Sequence, residues 1–433
     1  MEKQSVGIGL IGLGIVAGQV ARVLTEKANL LAEQAGCPVV LRKIKVLPQD
    51  MSRPQVAEMD AALFTTDDDQ FFNTPGIDII VEAIGGEQPA LEYLRRALSG
   101  GRYVVTSNKE VVAKHAAELL SLARENGVEL RCEASVGGGI PLISPFQHDL
   151  VANEIKGIYA IINGTTNYIL TRMDKDGLDF ASALGQAQQL GYAEADPTND
   201  VEGIDAVYKL AILASLAFKC QVRPDDIYRE GISRLSARDF RYAREFGFAI
   251  KLLAIAKQSD GSLEVRVHPV FLPQDSFLAK VDGVYNAVLA EGNLVGKVIF
   301  LGEGAGPLPT SSAVVADVVQ AAIDVRRGTN GVGHWRIAGD VALKPMAQVE
   351  TRYYFRLSTA DTAGVLAQIA QVLGDHRISI SSAIQKEADS ATQTAEIVLM
   401  THPAPESAAQ KALAGLERLS VVREVSNLIR VED

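Results

Sequence analysis

Val6-Gly-Ile-Gly-Leu-Ile-Gly-Leu-Gly-Ile-Val-Ala-Gly18 carries the pattern that places this chain among the parallel α/β folds. Its first half is an apolar run that reads as a buried strand over 6–11, and a helical pattern over 17–32 follows. Between them stands Gly12-x-Gly14-x-x-Ala17. In such a turn the first glycine permits tight curvature and the second lets the backbone approach a pyrophosphate. A small third residue lets helix and strand pack closely, and the helix N-terminus offers N–H donors to phosphate. Glycines also punctuate ordinary strand–helix turns, so the surroundings decide the reading.

Working outward, further short apolar runs over 39–47, 77–82, 102–106 and 128–133 read as strands, with helical patterns over 91–98 and 112–125. Strands alternating with helices imply βαβ units and a parallel, Rossmann-type sheet. That domain spans 1–140 and is completed by a helix around 311–326. A second segment, 141–326, mixes helices over 180–190 and 203–218 with strands over 265–272 and 296–301, an α+β domain for substrate binding, catalysis and dimerisation. Residues 327–350 lose periodicity and gather glycines, which marks a linker. From 351 to 433 the order is strand 353–358, helix 364–376, strands 378–385 and 394–400, helix 406–416 and strand 421–431. This βαββαβ order is ferredoxin-like.

Composition bounds the function. A chain of 433 residues implies two or three domains, and a net charge of −11 without a dense Lys/Arg run argues against nucleic acid or an anionic membrane. Cys37, Cys132 and Cys220 follow no metal-ligand spacing, and their odd number points to a reducing cytoplasm. The N-terminus lacks export features, and no uninterrupted apolar run reaches bilayer length.

The end of the second strand should distinguish the dinucleotides, because an acid there holds a ribose 2′-hydroxyl and an arginine a 2′-phosphate. Here Leu47 occupies the position, and Asp50 and Arg53 just beyond it point opposite ways. NAD and NADP both stay open.

The most informative stretch is GYAEADPTNDVEGIDAVYKLAILASLAFK, residues 191–219. Asp205 and Lys209 stand four apart, on one helix face. An exposed pair of this kind is usually a solvated ion pair of little consequence. This helix continues as AILASLAF, apolar nearly all round, so it is buried, and a buried charged pair is costly unless it has other work. Tyr192, Glu194, Asp196 and Asp200 add polar groups at the helix entrance. Lys109, in VTSNKE after the strand 102–106, falls at the carboxyl end of a parallel strand, where open α/β sheets bind ligands. An ordinary surface lysine at a helix start would look the same. Two glycine-rich turns, SVGGGIP at 135–141 and IINGTTNYIL at 161–170, offer further backbone donors.

In order, VTSNKE, CEASVGGGIPLI, INGTTNYILTRM, GYAEADPTNDVEGIDAVYK, EGISRLSARDF and EGAGPLPTSSAVVAD resemble the homoserine dehydrogenase family over about 5–325. TADTAGVLAQIAQVL and HRISISSAIQ resemble an ACT domain, an amino-acid-sensing module. The resemblance implies reversible NAD(P)H-dependent reduction of L-aspartate 4-semialdehyde to L-homoserine, on the route to threonine, methionine and isoleucine. It implies Lys209 as general acid, Asp205 orienting it and the substrate amine, and Lys109 between nicotinamide and substrate. Glu194, Tyr192, Gly164, Thr165 and Asp200 would line the substrate pocket. Dinucleotide contacts would fall on Gly12, Leu13, Gly14, Ile15, Val16, Ala17, Ile84, Gly85, Ser107, Lys109 and Gly306. Glu133, Val136, Gly138 and Ile140 would hold a structural monovalent cation, sodium or potassium. Asp361, Ala363, Gly364 and Val365 would contact an amino-acid effector, L-threonine being the expected inhibitor, and pairing of ACT modules implies a homodimer or tetramer. An arginine the family often carries near the end of the second strand is Leu47 here. A hydroxyacid dehydrogenase with an ACT tail would need a catalytic histidine, and none of the six histidines stands in such a motif. A regulator with a vestigial dinucleotide fold predicts loss of the lysines, which are present.

Overall fold

A computed structural model describes residues 3–329, 335, 337, 339, 341–389 and 393–432. The chain forms two compact units, Met1–Lys156 with Tyr208–Asp225 and Ala290–Val341, and Gly157–Val207 with Asp226–Leu289 and Ala342–Asp433. Residues 208–225 and 290–310, which the sequence reading put in the middle segment, group with the N-terminal unit, as does the helix around 311–326. The expected linker 327–350 lies partly outside the described residues.

The first unit opens with β1 (Val6–Ile11), β2 (Val39–Lys45), β3 (Phe64–Thr65), β4 (Ile79–Glu82), β5 (Tyr103–Thr106) and β6 (Leu130–Arg131). They pair in parallel in the order β3-β2-β1-β4-β5-β6. Every residue of β1, β4 and β5 is buried, as a sheet covered on both faces requires. Connecting them are α1 (Ile15–Glu26), α2 (Ala28–Ala35), the short α3 (Pro54–Ala57) and α4 (Asp68–Phe72), α5 (Ala90–Ser99), α6 (Lys109–Glu125) and α7 (Ile143–Gln147). The single helix expected over 17–32 is two, because Lys27, at φ −105° and ψ 20°, interrupts it. The strand expected over 128–133 shortens to two residues, since Glu133–Ser135 coils into a 3-10 turn.

The middle of the chain adds β7 (Ile155–Ile161), α8 (Gly164–Lys175), α9 (Phe180–Gln189), α10 (Thr198–Val201) and α11 (Ile204–Ala217). Next come β8 (Tyr228–Arg229), α12 (Ala237–Glu245), β9 (Phe248–Ser259), β10 (Ser262–Pro273), β11 (Tyr285–Gly292), β12 (Gly296–Glu303) and α13 (Pro307–Arg327). Within the second unit β9 and β10 form a long antiparallel hairpin flanked by β7. α13 packs in the first unit on α1, β4 and β5. Among the described residues it is the one helix long and apolar enough to cross a membrane.

The C-terminal part of the second unit is β13 (Glu350–Ala360), α14 (Val365–Asp375), β14 (Ile380–Asp389), β15 (Thr394–Thr401), β16 (Ala404–Pro405), α15 (Glu406–Leu416) and β17 (Val422–Val431). Its main strands run β17-β13-β15-β14, all antiparallel. One face carries the core of Tyr353, Phe355, Leu357, Ile369, Leu373, Leu399 and Leu416. β17 pairs in parallel with β10 through Val270–Arg430 and Phe271–Val431, so this module's sheet continues that of the hairpin. Two fully or nearly buried arginines reinforce the join. Arg356 donates to Asp239 at 2.7 Å and to Glu396 at 3.1 Å, and Arg430 to Glu406 at 2.8 Å and Glu230 at 2.9 Å.

Candidate active site

In the first unit the dinucleotide turn follows β1. Gly12, at φ +102°, donates its N–H to the Lys45 carbonyl at 2.9 Å, and Gly14 caps α1 in an extended conformation. Leu13 and Ala17 are buried, whereas Ile15 is 77% exposed. Arg53 reaches this turn, donating to the Leu13 carbonyl at 3.0 Å while paired with Asp50 at 2.7 Å. The two side chains that pointed opposite ways in the sequence are therefore partners.

The carboxyl ends of β4 and β5 lie side by side. Glu82, fully buried, accepts the Thr106 hydroxyl and the Ile84 N–H at 2.8 Å. Desolvation raises its carboxyl to about 7. Asn108 caps α6 through the Val111 N–H at 3.1 Å and donates to the carbonyls of Ile84 (3.2 Å) and Gly86 (2.8 Å). Ser107 donates its N–H to the Glu82 carbonyl at 3.3 Å, and Lys109 is the first residue of α6. Gly306, at φ +124°, caps α13. Glu82 and Asn108, which shape this edge, were not singled out from the sequence; Asn108 stood inside a quoted motif, and an acid ending an apolar strand was the signal for Glu82.

Glu133 spends its side chain on structure. Its carboxylate accepts the N–H groups of Leu142 (2.5 Å), Ile143 (2.8 Å) and Ser144 (2.7 Å), closing the start of α7. Its own N–H goes to Asp317, whose carboxyl burial raises to about 7. Val136 and Ile140 are buried, and Gly137 and Gly138 adopt left-handed φ of +75° and +57°.

In the second unit Asn163 gathers the predicted carboxylates. It caps α8 through the Thr166 N–H at 2.8 Å, and its amide nitrogen donates to Asp200 at 2.7 Å and Asp205 at 2.9 Å. The Asn-x-x-Thr spacing in INGTT, a helix-start pattern, was the overlooked signal. Gly164 begins α8, and Thr165 donates its hydroxyl to the Tyr192 carbonyl at 2.6 Å. Gly164 cannot carry a side chain, because a Cβ would lie 2.7 Å from the Val284 carbonyl. The Tyr192 ring lies 5.1 Å from Tyr168, and Glu194 is exposed.

Asp205 and Lys209 ride one turn apart on α11 and are 3% and 8% exposed. The rest of that helix is as apolar as its sequence suggested, with Leu210, Ala211, Ile212, Leu213 and Ala214 all at most 1% exposed. A buried acid and a buried lysine one turn apart on an otherwise apolar helix are costly unless they have partners or other work.

Comparison with known proteins gives this arrangement a family. Residues 141–319 match the homoserine dehydrogenase family, 12–133 its NAD-binding domain and 353–420 the ACT domain. The homoserine dehydrogenase of Pseudomonas aeruginosa is 42% identical over 436 residues, covering 99% of both chains. The chain belongs to the homoserine dehydrogenase family. It is accordingly an NAD(P)-dependent oxidoreductase with a C-terminal ACT domain, the arrangement expected from the quoted motifs. The homoserine dehydrogenase of Neisseria gonorrhoeae is 40% identical, covering 99% of this chain and 98% of that one. The crystal structure of one from Thiobacillus denitrificans superposes with a TM-score of 0.93 at 39% identity, covering all of both chains. A hyperthermophilic archaeal homoserine dehydrogenase in complex with NADPH gives a TM-score of 0.63 at 28% identity, over 74% of this chain and 98% of that one.

Proposed function

We propose that the chain interconverts L-aspartate 4-semialdehyde and L-homoserine, for threonine, methionine and isoleucine synthesis, with Lys209 as the proton donor. The observation that carries this is the buried Asp205–Lys209 spacing on α11, with Asp205 also held by Asn163 at 2.9 Å. Bound NAD(P)H supplies the hydride. As it reaches the aldehyde carbon, negative charge grows on the carbonyl oxygen; the Lys209 ammonium neutralises and protonates it, and a water-poor setting strengthens that interaction. Asp205 orients the ammonium and the substrate amine, and Lys109 assists from the start of α6. Gly164, Thr165, Tyr192, Glu194 and Asp200 bind the remaining amino-acid groups.

The turn 12–17, with Ile84, Gly85, Ser107, Lys109 and Gly306, would hold the dinucleotide, which would supply the hydride. NADPH is accepted through Arg53, whose guanidinium is fixed beside that turn and suits a 2′-phosphate. The backbone carbonyls of Val136, Gly138 and Ile140 beside Glu133 would supply oxygen donors for a hard monovalent cation, with the Glu133 carboxylate itself engaged by three N–H groups. L-Threonine inhibits through the ACT module, with the exposed loop Asp361–Gly364 and buried Val365 as its contacts. A homodimer or tetramer is supported by the exposed Leu294, Val295 and Leu301 around β12. Buried Cys37, Cys132 and Cys220, with no disulfide among the described residues, support a reducing, cytoplasmic setting.

The test is Lys209→Ala. The folded variant should lose roughly a thousandfold or more in kcat for homoserine oxidation, followed at 340 nm, with dinucleotide affinity nearly unchanged. Near-normal turnover would sink the assigned role.

A further inference from the structure

Strand β4 is apolar up to its last residue, Glu82, which is fully buried. In the sheet Glu82 stands opposite Ile11, the last residue of β1, and Thr106, the last of β5. It therefore lies at the carboxyl edge, between the dinucleotide turn and the start of α6. A carboxyl is costly to bury there, whereas an apolar side chain would continue the strand without that cost.

The side chain closes a ring of hydrogen bonds. One Glu82 oxygen accepts the Ile84 N–H at 2.8 Å and the other accepts the Thr106 hydroxyl. The Thr106 oxygen in turn accepts the Asn108 N–H at 3.0 Å. The Asn108 amide donates back to the carbonyls of Ile84 at 3.2 Å and Gly86 at 2.8 Å. Residues 84–86 are thereby fastened to the residue that precedes Lys109. Glu82 and Thr106 are 0% exposed and Asn108 is 6% exposed, so water does not take the place of a lost member. On the other side, the Ile84 side chain stands 2.8 Å from where a Gly12 Cβ would lie, so the same shelf backs the dinucleotide turn.

Hydride transfer is sensitive to small displacements of the reacting groups, which a locked shelf prevents. We propose that Glu82 is a positioning residue for this step: through Thr106 and Asn108 it ties the shelf 84–86 to the start of α6, and so sets where the dinucleotide stands relative to Lys109. The proposal rests on reading the chain as a dehydrogenase in which Ile84 and Gly85 meet the dinucleotide and Lys109 lies between nicotinamide and substrate. Glu82 is too deeply buried to touch either ligand, and acts through its ring. Burial raises its carboxyl to about 7, so the neutral form, which a glutamine amide imitates, is well populated near neutral pH. Glutamine keeps an acceptor for the Ile84 N–H and offers a donor to the Thr106 oxygen, whereas methionine offers neither.

The experiment follows homoserine oxidation by the full-length protein near neutral pH, with ordinary homoserine and with homoserine deuterated at its hydroxyl-bearing carbon. Glu82→Met should lower kcat roughly tenfold or more, with KM for homoserine within about threefold. The deuterium effect on kcat should grow in that variant, because hydride transfer becomes the slow step. Thr106→Val, which breaks the ring without touching a carboxyl, should show the same pattern and carries the test if Glu82→Met does not fold. Glu82→Gln and Thr106→Ser, which restore the bonds, should return kcat to within about threefold of wild type. A lowered Tm with wild-type kcat and isotope effect in the ring-breaking variants would overturn the role, as would Glu82→Gln as slow as Glu82→Met. Those outcomes concern an active wild-type protein; a wild type that fails to oxidise homoserine would overturn the dehydrogenase reading and the role together.

Discussion

Two strand–glycine–helix turns in this molecule look alike in sequence and differ in why they need glycine. In the ACT module Gly364 caps α14 at φ +89°, and a Cβ there would meet nothing within 4 Å. Its requirement is conformational alone. In the dinucleotide turn Gly12 combines φ +102° with a Cβ position only 2.8 Å from the Ile84 side chain. Gly14 has neither reason: φ is −70° and the space above it is open. Under the proposed function, a glycine that neither its backbone nor its neighbours require leaves room for a ligand from outside the chain, here the pyrophosphate of the dinucleotide. The same residue type thus serves a bend in one turn and, in the proposed reading, an approach for a ligand in the other.

That contrast can be broken. Gly14→Val should cost the most, raising KM for the dinucleotide on the order of a hundredfold as charge-assisted N–H contacts to phosphate are lost, while Tm falls only a few degrees. An unchanged KM in steady-state kinetics would remove the ligand explanation for Gly14. Arg53→Gln sharpens the same turn: KM for NADP should rise roughly tenfold and KM for NAD stay within twofold, as one charged contact implies. Equal effects on both dinucleotides would mean that Arg53 only supports the Leu13 carbonyl.

Glu82 fixes the Ile84 shelf against which Gly12 rests, and it gives that turn a pH dependence. Its carboxyl is raised to about 7 from 4.5, so the folded protein holds a proton that the unfolded chain releases between those values. Stability from this group is present at low pH and is lost as pH rises through about 7. Asp317, also raised to about 7, acts in the same direction. Melting temperatures should therefore fall between pH 5 and about 7 and level off above it, and Glu82→Gln should flatten that fall by several degrees. An identical slope in the variant would show that Glu82 ionises without cost. The smallest effect belongs to the ACT turn: Gly364→Ala should lower stability by about 1 kcal/mol and leave turnover without effector unchanged, read by denaturant unfolding and by initial rates.

Much of this was legible beforehand. The parallel sheet, the βαββαβ order and the buried character of α11 follow from periodicity, because burial on one face or on all faces writes itself into the spacing of apolar residues. Asp205 and Lys209 could be paired because four residues make about one helical turn. Three features were not legible. The break at Lys27 depends on one residue's φ and ψ, and nothing in its side chain announces it. The pairing of Asp50 with Arg53 needs the 3-10 turn that brings them together. Asn163 donates across 37 and 42 residues to Asp200 and Asp205, a separation no local pattern encodes.

The element types and their order could be read from side-chain periodicity and local turns, and the same patterns singled out Asp205, Lys209 and Lys109 as the reacting groups now proposed. Only the tertiary structure decided which polar groups meet: Glu82 with Thr106, Asn163 with two carboxylates, Arg356 and Arg430 with the acids that join the ACT module to the neighbouring sheet. Burial makes an unpartnered polar group costly, so each of these must find its complement, but chain distance places no limit on where that complement comes from.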